Sequence, residues 1–354
     1  MINKEEIYQI IKAGVQAPSG SNSQPWKFIV KDNIIKVIAL PEKDHPILNF
    51  KNRGTWIAHG ALLENIEIAA KNLGIKLKYK IFPYKENPNL TFEIILEKLG
   101  VKDEDNLYEV IYKRSSNRKK FSNQNLKLDE KEFLFKEVQN YSNLILKTIE
   151  GENEILEIAK NLACDVYLNL SNEELYKLFV KEIIWDEEEE KLREGRGLYI
   201  KTMELKPQAE KFMKLLKKRF FINLFRKLGM LKAIYKDTAK TYSSCGLYGA
   251  ILVKDNDTDF IYTGKLLQNI WLRATKLNLG FHLITGIPFL WQGVNFGNLD
   301  IFNEKEKEII NTAYKRLEEI FESEDSIIAL TFRLGYSEPS SAKSFKTEPD
   351  IQFI

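Results

Sequence analysis

The sequence predicts a mixed fold of helices and strands, organised as two related halves with a long helical segment inside the second half. Three observations predict it. Helix and strand patterns alternate near both ends of the chain, one helical segment recurs 204 residues later, and residues 151–240 are mostly helical in pattern. A chain of 354 residues with 44% hydrophobic residues also has enough apolar material for a large core.

The first half is predicted to contain two helices and two pairs of strands. Apolar residues spaced three and four positions apart predict the helices, and alternation of apolar and polar residues predicts the strands. The helices are expected at residues 4–16 and 55–73, and the strands at 28–31, 34–40, 77–82 and 90–97.

The second half is predicted to follow a similar plan around the helical segment. Its helices are expected at residues 129–139, 264–277 and 303–321, and its strands at 248–254 and 326–334. Residues 285–288, with the sequence TGIP, are expected to form a loop.

The internal repeat joins residues 59–73, HGALLENIEIAAKNL, to residues 263–277, TGKLLQNIWLRATKL. Seven of the fifteen positions are identical, including Gly60 with Gly264 and Asn65 with Asn269. Two amphipathic helices share leucine and alanine by chance, but matched glycine and asparagine are harder to obtain that way. The repeat therefore favours two related halves, each giving one long core helix to a pseudo-twofold arrangement.

Composition and charge exclude several classes of function. The formal net charge of +3 gives no general attraction to nucleic acid. Two distant cysteines, Cys164 and Cys245, cannot form a disulfide framework, and His45, His59 and His282 show no metal-ligand spacing. The chain start lacks the apolar core of a signal peptide, and no stretch approaches the length of a membrane span. A cytoplasmic protein without stable membrane insertion is expected.

Residues 17–26, APSGSNSQPW, form the most informative segment. They follow a predicted helix and precede a predicted strand. Their serine and asparagine side chains both donate and accept hydrogen bonds, and Gly20 allows backbone N–H groups to approach a ligand. A simple helix-ending turn has the same composition, so the residues alone leave both interpretations open.

A second candidate segment is Arg114-Ser115-Ser116-Asn117-Arg118. Two guanidinium groups four residues apart, with hydroxyl groups between them, suit a phosphate dianion through charge-assisted hydrogen bonds. The alternative is a solvated basic loop.

The helix-APSxxNxQPW-strand pattern resembles the FMN-binding motif of the nitroreductase family. The resemblance implies an α+β fold, with FMN held at a dimer interface. Residues 114–118 resemble the family's Arg-Ser motif, which stands at the start of each subunit there but at the start of the second half here. The single-chain pattern resembles the Acg-like branch of NAD(P)H nitroreductases, with two diverged copies fused as a pseudo-dimer. The implied halves are residues 1–105 and 106–354, with an insertion or lid at about 151–240.

The resemblance implies one complete FMN site, because the first half has only the Pro-Ser-Asn loop and the second has only the Arg-Ser motif. A backbone N–H near residues 285–287 would face the flavin N5, and Lys343, or less strongly Lys346, would replace the family's terminal arginine. The cofactor-binding residues implied are Pro18, Ser19, Gly20, Asn22, Gln24, Arg114, Ser115, Ser116, Arg118, Thr285, Gly286, Ile287 and Lys343.

The implied activity is hydride transfer from NADH or NADPH through FMN to a small electrophile, such as a nitroaromatic or a quinone, in a ping-pong scheme. No catalytic side chain or metal is expected, because the cofactor carries the chemistry. A flavin-sequestering protein is the main alternative, and a flavin-dependent oxidation or ring-cleavage enzyme is a third. The internal pseudo-dimer interface predicts a monomer.

Residues 211–240 remain ambiguous, with ten lysines and arginines and one acid among interleaved apolar residues. They fit either a helical layer over the flavin pocket or a helix for a membrane surface or an acidic partner.

Overall fold

The computed structural model describes residues 2–98, 100, 107–297, 299–323 and 325–354. Two separate sheets flank a pair of long helices, and a mostly helical segment lies between two strands of the second sheet. The predicted α+β class is confirmed. The predicted boundary between the halves, at residues 105 and 106, lies outside the described residues.

The strands are β1 (Trp26–Lys31), β2 (Ile34–Ala39), β3 (Ile75–Ile81), β4 (Leu90–Lys98), β5 (Ile145–Ile149), β6 (Ile183–Ile184), β7 (Leu198–Tyr199), β8 (Leu247–Val253), β9 (Leu279–Ile284), β10 (Ile327–Tyr336) and β11 (Ile351–Phe353). The helices are α1 (Lys4–Gly14), α2 (Arg53–Asn72), α3 (Tyr108–Ile111), α4 (Leu128–Phe135), α5 (Glu152–Leu162), α6 (Cys164–Ser171), α7 (Glu173–Glu182), α8 (Glu187–Leu192), α9 (Pro207–Leu215), α10 (Arg219–Lys227), α11 (Met230–Tyr242), α12 (Asp257–Lys276), α13 (Gly286–Phe296) and α14 (Glu304–Phe321).

The two sheets repeat one topology. The first has the order β11-β1-β2-β4-β3 and the second has the order β5-β8-β10-β9. Apart from β11, each sheet places its four strands in the order first, second, fourth, third, and each has a long helix between its second and third strands. Strand β11 pairs in parallel with β1, so the end of the chain returns from the second half to the first.

The long helices α2 and α12 cross at the two glycines of the sequence repeat. A Cβ atom on Gly60 would lie 1.9 Å from the carbonyl oxygen of Ile261. A Cβ atom on Gly264 would lie 1.9 Å from the carbonyl oxygen of Ile57. Only glycine allows backbones to approach so closely, which explains why both copies of the repeat keep it.

Polar contacts across this crossing are also reciprocal. The Nε2 of Gln268 donates to the Oδ1 of Asn65 at 2.7 Å, and the Nδ2 of Asn269 donates to the Oε1 of Glu64 at 2.9 Å. The repeat offset of 204 residues relates Asn65 to Asn269 and Glu64 to Gln268, so the two contacts are equivalent. Such exchange of partners is the pattern of an isologous interface between two like units.

One apolar core spans both halves. It includes Ile66 and Leu62 of α2, Ile270 and Trp271 of α12, and residues of both sheets. A second cluster packs α5, α13 and α14 against the second sheet, while part of the insertion has small clusters of its own. Residues of α2, of α12 and of both larger sheets therefore belong to one core.

The structure corrects the expectation of a loop at residues 285–288. Thr285 is the N-cap position of α13, and Gly286 opens that helix. The sequence TGIP suggested a turn because glycine and proline break helices internally, but both are tolerated in a first turn. Within the described ranges, no helix is both long and apolar enough to cross a membrane.

Candidate functional site

The loop between α1 and β1 is held in a strained conformation. Ser21, Asn22 and Gln24 all have positive φ angles, of 43°, 56° and 52°. The Nδ2 of Asn22 donates to the carbonyl oxygens of Gly195 at 2.6 Å and Phe345 at 2.8 Å. Non-glycine residues keep such backbone angles only where surrounding contacts impose them, which makes this loop a candidate binding element.

The Arg-Ser segment follows the short helix α3 and lies against the core. The guanidinium of Arg114 is buried and lies 4.3 Å from the centre of the Trp271 ring. Its Nη2 donates to the carbonyl oxygen of Gln16 at 3.2 Å, whereas its buried Nε has no hydrogen-bond partner among the described residues. Arg118 donates from Nη1 to the carbonyl oxygen of Thr202 at 2.9 Å.

Two lysines reach the same place from the chain terminus. The Nζ of Lys346 donates to the carbonyl oxygen of Ala17 at 2.7 Å and to the Oδ1 of Asn22 at 2.6 Å. The Nζ of Lys343 donates to the carbonyl oxygen of Tyr112 at 2.5 Å. The tail thus crosses the loop and the Arg-Ser segment before it forms β11.

These three segments enclose a cavity of about 190 Å³, called here the cationic cavity. Four basic side chains line it, together with hydroxyl groups, and no carboxylate is among its described lining residues. The lining residues are Pro18, Ser19, Ser21, Asn22, Arg114, Ser115, Ser116, Arg118, Gly197, Leu198, Thr202, Ala342, Lys343, Ser344 and Lys346.

Burial lowers the pKa of Arg118, and Glu204, whose charge partly opposes this, is not among the described lining residues of the cavity. Burial lowers the pKa of Arg114 to about 10. Partial burial, with the charge of Arg114 nearby, lowers the pKa of Lys343 to about 8 and that of Lys346 well below its ordinary value. Crowded, desolvated cations are unfavourable until an anion joins them. The cavity is therefore arranged for a multiply charged anion.

A wider cavity of about 760 Å³ shares six lining residues with the cationic cavity. Apolar side chains from both long helices form part of its wall, namely Ile57 and Ala58 of α2 and Leu267 and Trp271 of α12. Residues of the insertion form another part: Leu178, Lys181, Glu182, Arg193, Arg196 and Gly197. A small charged end joined to a larger, partly apolar chamber fits a flat ligand that carries a phosphate.

Two carboxyl groups of the wide cavity are partly desolvated. The hydroxyl of Ser21 donates to Glu182 at 2.5 Å, and Asp44 accepts from the hydroxyls of Ser23 and Thr55. Burial raises the pKa of both carboxyl groups, and the charge of Asp44 raises that of Glu182 further. Both groups therefore hold a proton more readily than an exposed carboxyl does.

The N-terminus of α13 lies against a buried carboxyl group. Thr285 lines the wide cavity, and a Cβ atom on Gly286 would lie 2.2 Å from the Oδ2 of Asp165. The Oδ1 of Asp165 is buried without a hydrogen-bond partner, and burial raises the pKa of this carboxyl to about 7. The N–H groups of Gly286 and Ile287, in the first turn of α13, have no partner within the helix.

The structure brings most of the predicted residues together. Eight line the cationic cavity: Pro18, Ser19, Asn22, Arg114, Ser115, Ser116, Arg118 and Lys343. Gly20 and Thr285 line the wide cavity. Three others are absent from the described lining of both cavities, namely Gln24, Gly286 and Ile287. Gln24 instead accepts hydrogen bonds at its Oε1 from the backbone and hydroxyl of Thr347.

The sequence marked only part of the insertion's contribution. Gly197, Leu198 and Thr202 line the cationic cavity. The segment Glu194-Gly195-Arg196-Gly197-Leu198 is expected from the sequence to be a turn that lines the cover, whereas no motif marks Thr202. Lys346, the weaker tail candidate, is as much part of this cavity as Lys343. Residues 211–240 are absent from the described lining of both cavities, so the expected layer over the pocket is formed by residues 178–202 instead.

The histidines and cysteines have mainly structural surroundings. His59 is buried with its Nε2 2.9 Å from the carbonyl oxygen of Pro25, and the Nε of Arg333 donates to the Nδ1 of His282 at 3.2 Å. His45 lines the wide cavity. No group of three or more metal-ligating side chains is found in the described parts of the chain.

A third cavity, of about 580 Å³, occupies the position related to the wide cavity by the repeat. The offset of 204 replaces Ala58 by Tyr262 and Trp271 by Glu67, and both replacements line this cavity. The Nζ of Lys265 donates there to Glu67 at 2.7 Å and to the hydroxyl of Tyr79 at 3.1 Å. Burial alone would lower the pKa of Lys265, but Glu64 and Glu67 outweigh it and raise the pKa. Paired charges thus occupy this cavity.

Comparison with known proteins agrees with this architecture. The model of the nitroreductase family matches residues 1–43, which include the strained loop. A protein from Anabaena variabilis assigned as a nitroreductase is 10% identical, with a TM-score of 0.50 over 94% of this chain and 88% of its own. This likeness shows that the chain has the nitroreductase fold.

Smaller similarities are found to other solved structures. An FMN-bound nitroreductase from Bacteroides fragilis is 10% identical, with a TM-score of 0.37 over 69% of this chain and 94% of its own. An FMN-dependent nitroreductase from Mycobacterium smegmatis, in complex with NADPH, is 12% identical, with a TM-score of 0.34 over 67% of this chain and 90% of its own. No curated protein matches the chain.

Proposed function

We propose that this chain is an FMN-binding oxidoreductase with a single flavin site at the junction of its two halves. The observation that carries the proposal is the cationic cavity, where four cations meet without a carboxylate. A phosphate dianion would offset their mutual repulsion and would satisfy the unpartnered Nε of Arg114.

The residues around the two cavities have distinct parts in this proposal. Arg114, Arg118, Lys343 and Lys346 hold the phosphate, and Ser19 and the Ser115-Ser116 pair donate hydroxyl hydrogen bonds beside it. The apolar wall of the wide cavity, with Trp271, excludes water from the flavin ring. The N–H groups at the start of α13 stabilise negative charge at the ring edge.

Bound FMN supplies the redox chemistry, because it accepts a hydride and returns electrons to a second substrate. We propose NADH or NADPH as the donor and a small electrophile of the nitroaromatic or quinone type as the acceptor, taken in turn by the same cavity. Glu182 and Asp44, which hold protons readily, are placed to supply one to a reduced acceptor.

We further propose that the chain is a fused pseudo-dimer with halves near residues 1–105 and 106–354, in the manner of the Acg-like branch. The reciprocal contacts of α2 and α12 and the repeated strand order support this division. The charged third cavity supports one flavin per chain, because Glu67 stands where Trp271 stands in the wide cavity. A monomer follows, since the pairing surface is internal.

A flavin-sequestering function is the second candidate, and one observation favours it. The insertion is tied to both binding segments, through Asn22 to Gly195 and through Arg118 to Thr202. A cover fixed in this way hinders the exchange of substrates.

Two measurements test these proposals. Purified protein should show flavin absorbance at one FMN per chain, and Arg114→Ala with Arg118→Ala should release the flavin, while Arg316→Ala on the exposed face of α14 should not. A ratio of two, or a colourless protein that cannot be reconstituted, contradicts the site. Anaerobic addition of NADH or NADPH then separates the functions, because bleaching supports the reductase and persistent colour supports sequestration.

A further inference from the structure

The helix α10 has two apolar faces. Ile222 and Phe225 point inward and are buried in the insertion's own cluster. Phe220, Leu224 and Leu228 are spaced four residues apart along the other side, and their side chains are 72%, 37% and 65% exposed. We call these three residues the outer stripe. A row of large apolar side chains facing solvent requires an explanation beyond packing.

Basic residues surround the outer stripe. Residues 211–240 contain ten lysines and arginines and one acid. Lys227 follows Phe220 by seven residues and Leu224 by three, so it shares their side of the helix. Lys217 and Lys218 are exposed directly before the helix begins.

The flavin site does not explain this surface. Residues 211–240 are absent from the described lining of the cationic cavity and of the wide cavity. Arg219 and Arg226 pair with Glu173 and thereby fasten α10 to α7, which keeps the stripe turned outward. The surface is thus a separate feature of the insertion.

We propose that the outer stripe and its basic border dock the protein on an anionic lipid surface. An amphipathic helix with phenylalanine and leucine on one side and lysine beside them is suited to the interface of a bilayer. Negative lipid headgroups attract the cations, and the outer stripe enters the headgroup layer. A second copy that presented the same face would bring the same positive charge and would be repelled.

This docking is peripheral and needs no membrane-spanning helix. It also does not depend on the flavin, because α10 lies outside both cavities. The proposal therefore stands or falls separately from the proposed function.

Vesicle co-sedimentation of the full-length protein tests the proposal. The wild type should bind vesicles of phosphatidylcholine with 30% phosphatidylglycerol, and binding should fall at least tenfold on pure phosphatidylcholine or in 0.5 M salt. The variant Phe220→Ser with Leu228→Ser should lose most binding, and Lys218→Glu with Lys227→Glu should do the same. Leu128→Ser, which changes an exposed leucine on α4, is the matched control.

Each outcome supports or overturns the lipid-docking proposal once circular dichroism shows that the variants are folded. Absence of binding to anionic vesicles overturns the proposal. So does binding that the stripe and lysine variants leave unchanged. A concentration-dependent dimer in sedimentation velocity that Phe220→Ser with Leu228→Ser disrupts would assign the stripe to a second copy instead.

Discussion

Gly264→Ala is the sharpest test of the helix crossing. The added Cβ would lie 1.9 Å from the carbonyl oxygen of Ile57, and ordinary contacts of this kind begin near 3.4 Å. The helices α2 and α12 would have to separate by roughly 1.5 Å, because the carbonyl group is fixed in the hydrogen bonds of α2. Packing strain of this kind costs about 1–3 kcal/mol, from which about 1 kcal/mol is recovered through the better helix propensity of alanine.

We therefore expect Gly264→Ala to lower the free energy of unfolding by up to about 2 kcal/mol, measured by urea denaturation. The same movement displaces Ile57 and Leu267, which line the wide cavity, so flavin retention should also fall. Both effects should appear again in Gly60→Ala, because its Cβ meets the equivalent carbonyl oxygen, that of Ile261, at the same distance.

Gly293→Ala is the matched control. Gly293 lies within α13, and its added Cβ would meet a leucine methyl group at 3.2 Å, which can move. This variant should be as stable as the wild type or more so. If Gly264→Ala behaves like Gly293→Ala in stability and in flavin retention, the close backbone approach is refuted. The presence of glycine in both copies of the repeat is then not explained by that approach.

Three other predictions concern the site. Flavin affinity should be steady near pH 7 and fall above about pH 8, by up to about tenfold per pH unit, because phosphate binds protonated Lys343 and the pKa of this lysine is lowered to about 8. The variant Lys343→Arg, which stays charged, should reduce this decline. If fluorescence titration gives the same affinity at every pH, Lys343 is not part of the phosphate site. The folded-state pKa of Asp165 is raised to about 7, so the contribution of this group to stability is present at low pH and is lost as the pH rises to 7. The free energy of unfolding of Asp165→Asn should therefore exceed that of the wild type by about 2–4 kcal/mol at pH 8 and by much less at pH 5. If the variant and the wild type have equal urea midpoints at both pH values, this reasoning is wrong. Lys346→Met should lower flavin affinity at least about tenfold, because it removes a cation and the hydrogen bond from Lys346 to Asn22. Lys307→Met, which changes a lysine of α14 that pairs with Glu304, should have no effect in the same titration.

The sequence was informative where local patterns decide the structure. Ile7, Ile10 and Ile11 mark one face of α1, and the repeat identified α2 and α12 with the glycines at which they cross. The loop at residues 17–24 and the segment at residues 114–118 were found as separate motifs, and the fold places them around one cavity. The expectation that these two motifs form one site depended on the predicted pseudo-dimer.

Other parts depend on long-range contacts and left no local signal. Strand β11 has three residues and exists because β1 offers it an open edge. Thr202 enters the cationic cavity only because the insertion folds back over the loop. Lys346 follows Lys343 by three residues, and nothing in the sequence shows that both reach the same cavity.

The proposed fusion of two copies would explain how the two sites come to differ. Two identical subunits must give both interface sites the same side chains, whereas a fused chain changes each site alone. Here the same two positions carry Ala58 and Trp271 at one site but Tyr262 and Glu67 at the other. The first pair leaves an apolar wall beside four cations with no carboxylate among the described lining residues, and the second places Glu67 where it pairs with Lys265. Residues of the insertion are among the described lining residues of the first site and not of the second. The different side chains of the two cavities and the position of the insertion thus both favour ligand binding at one site.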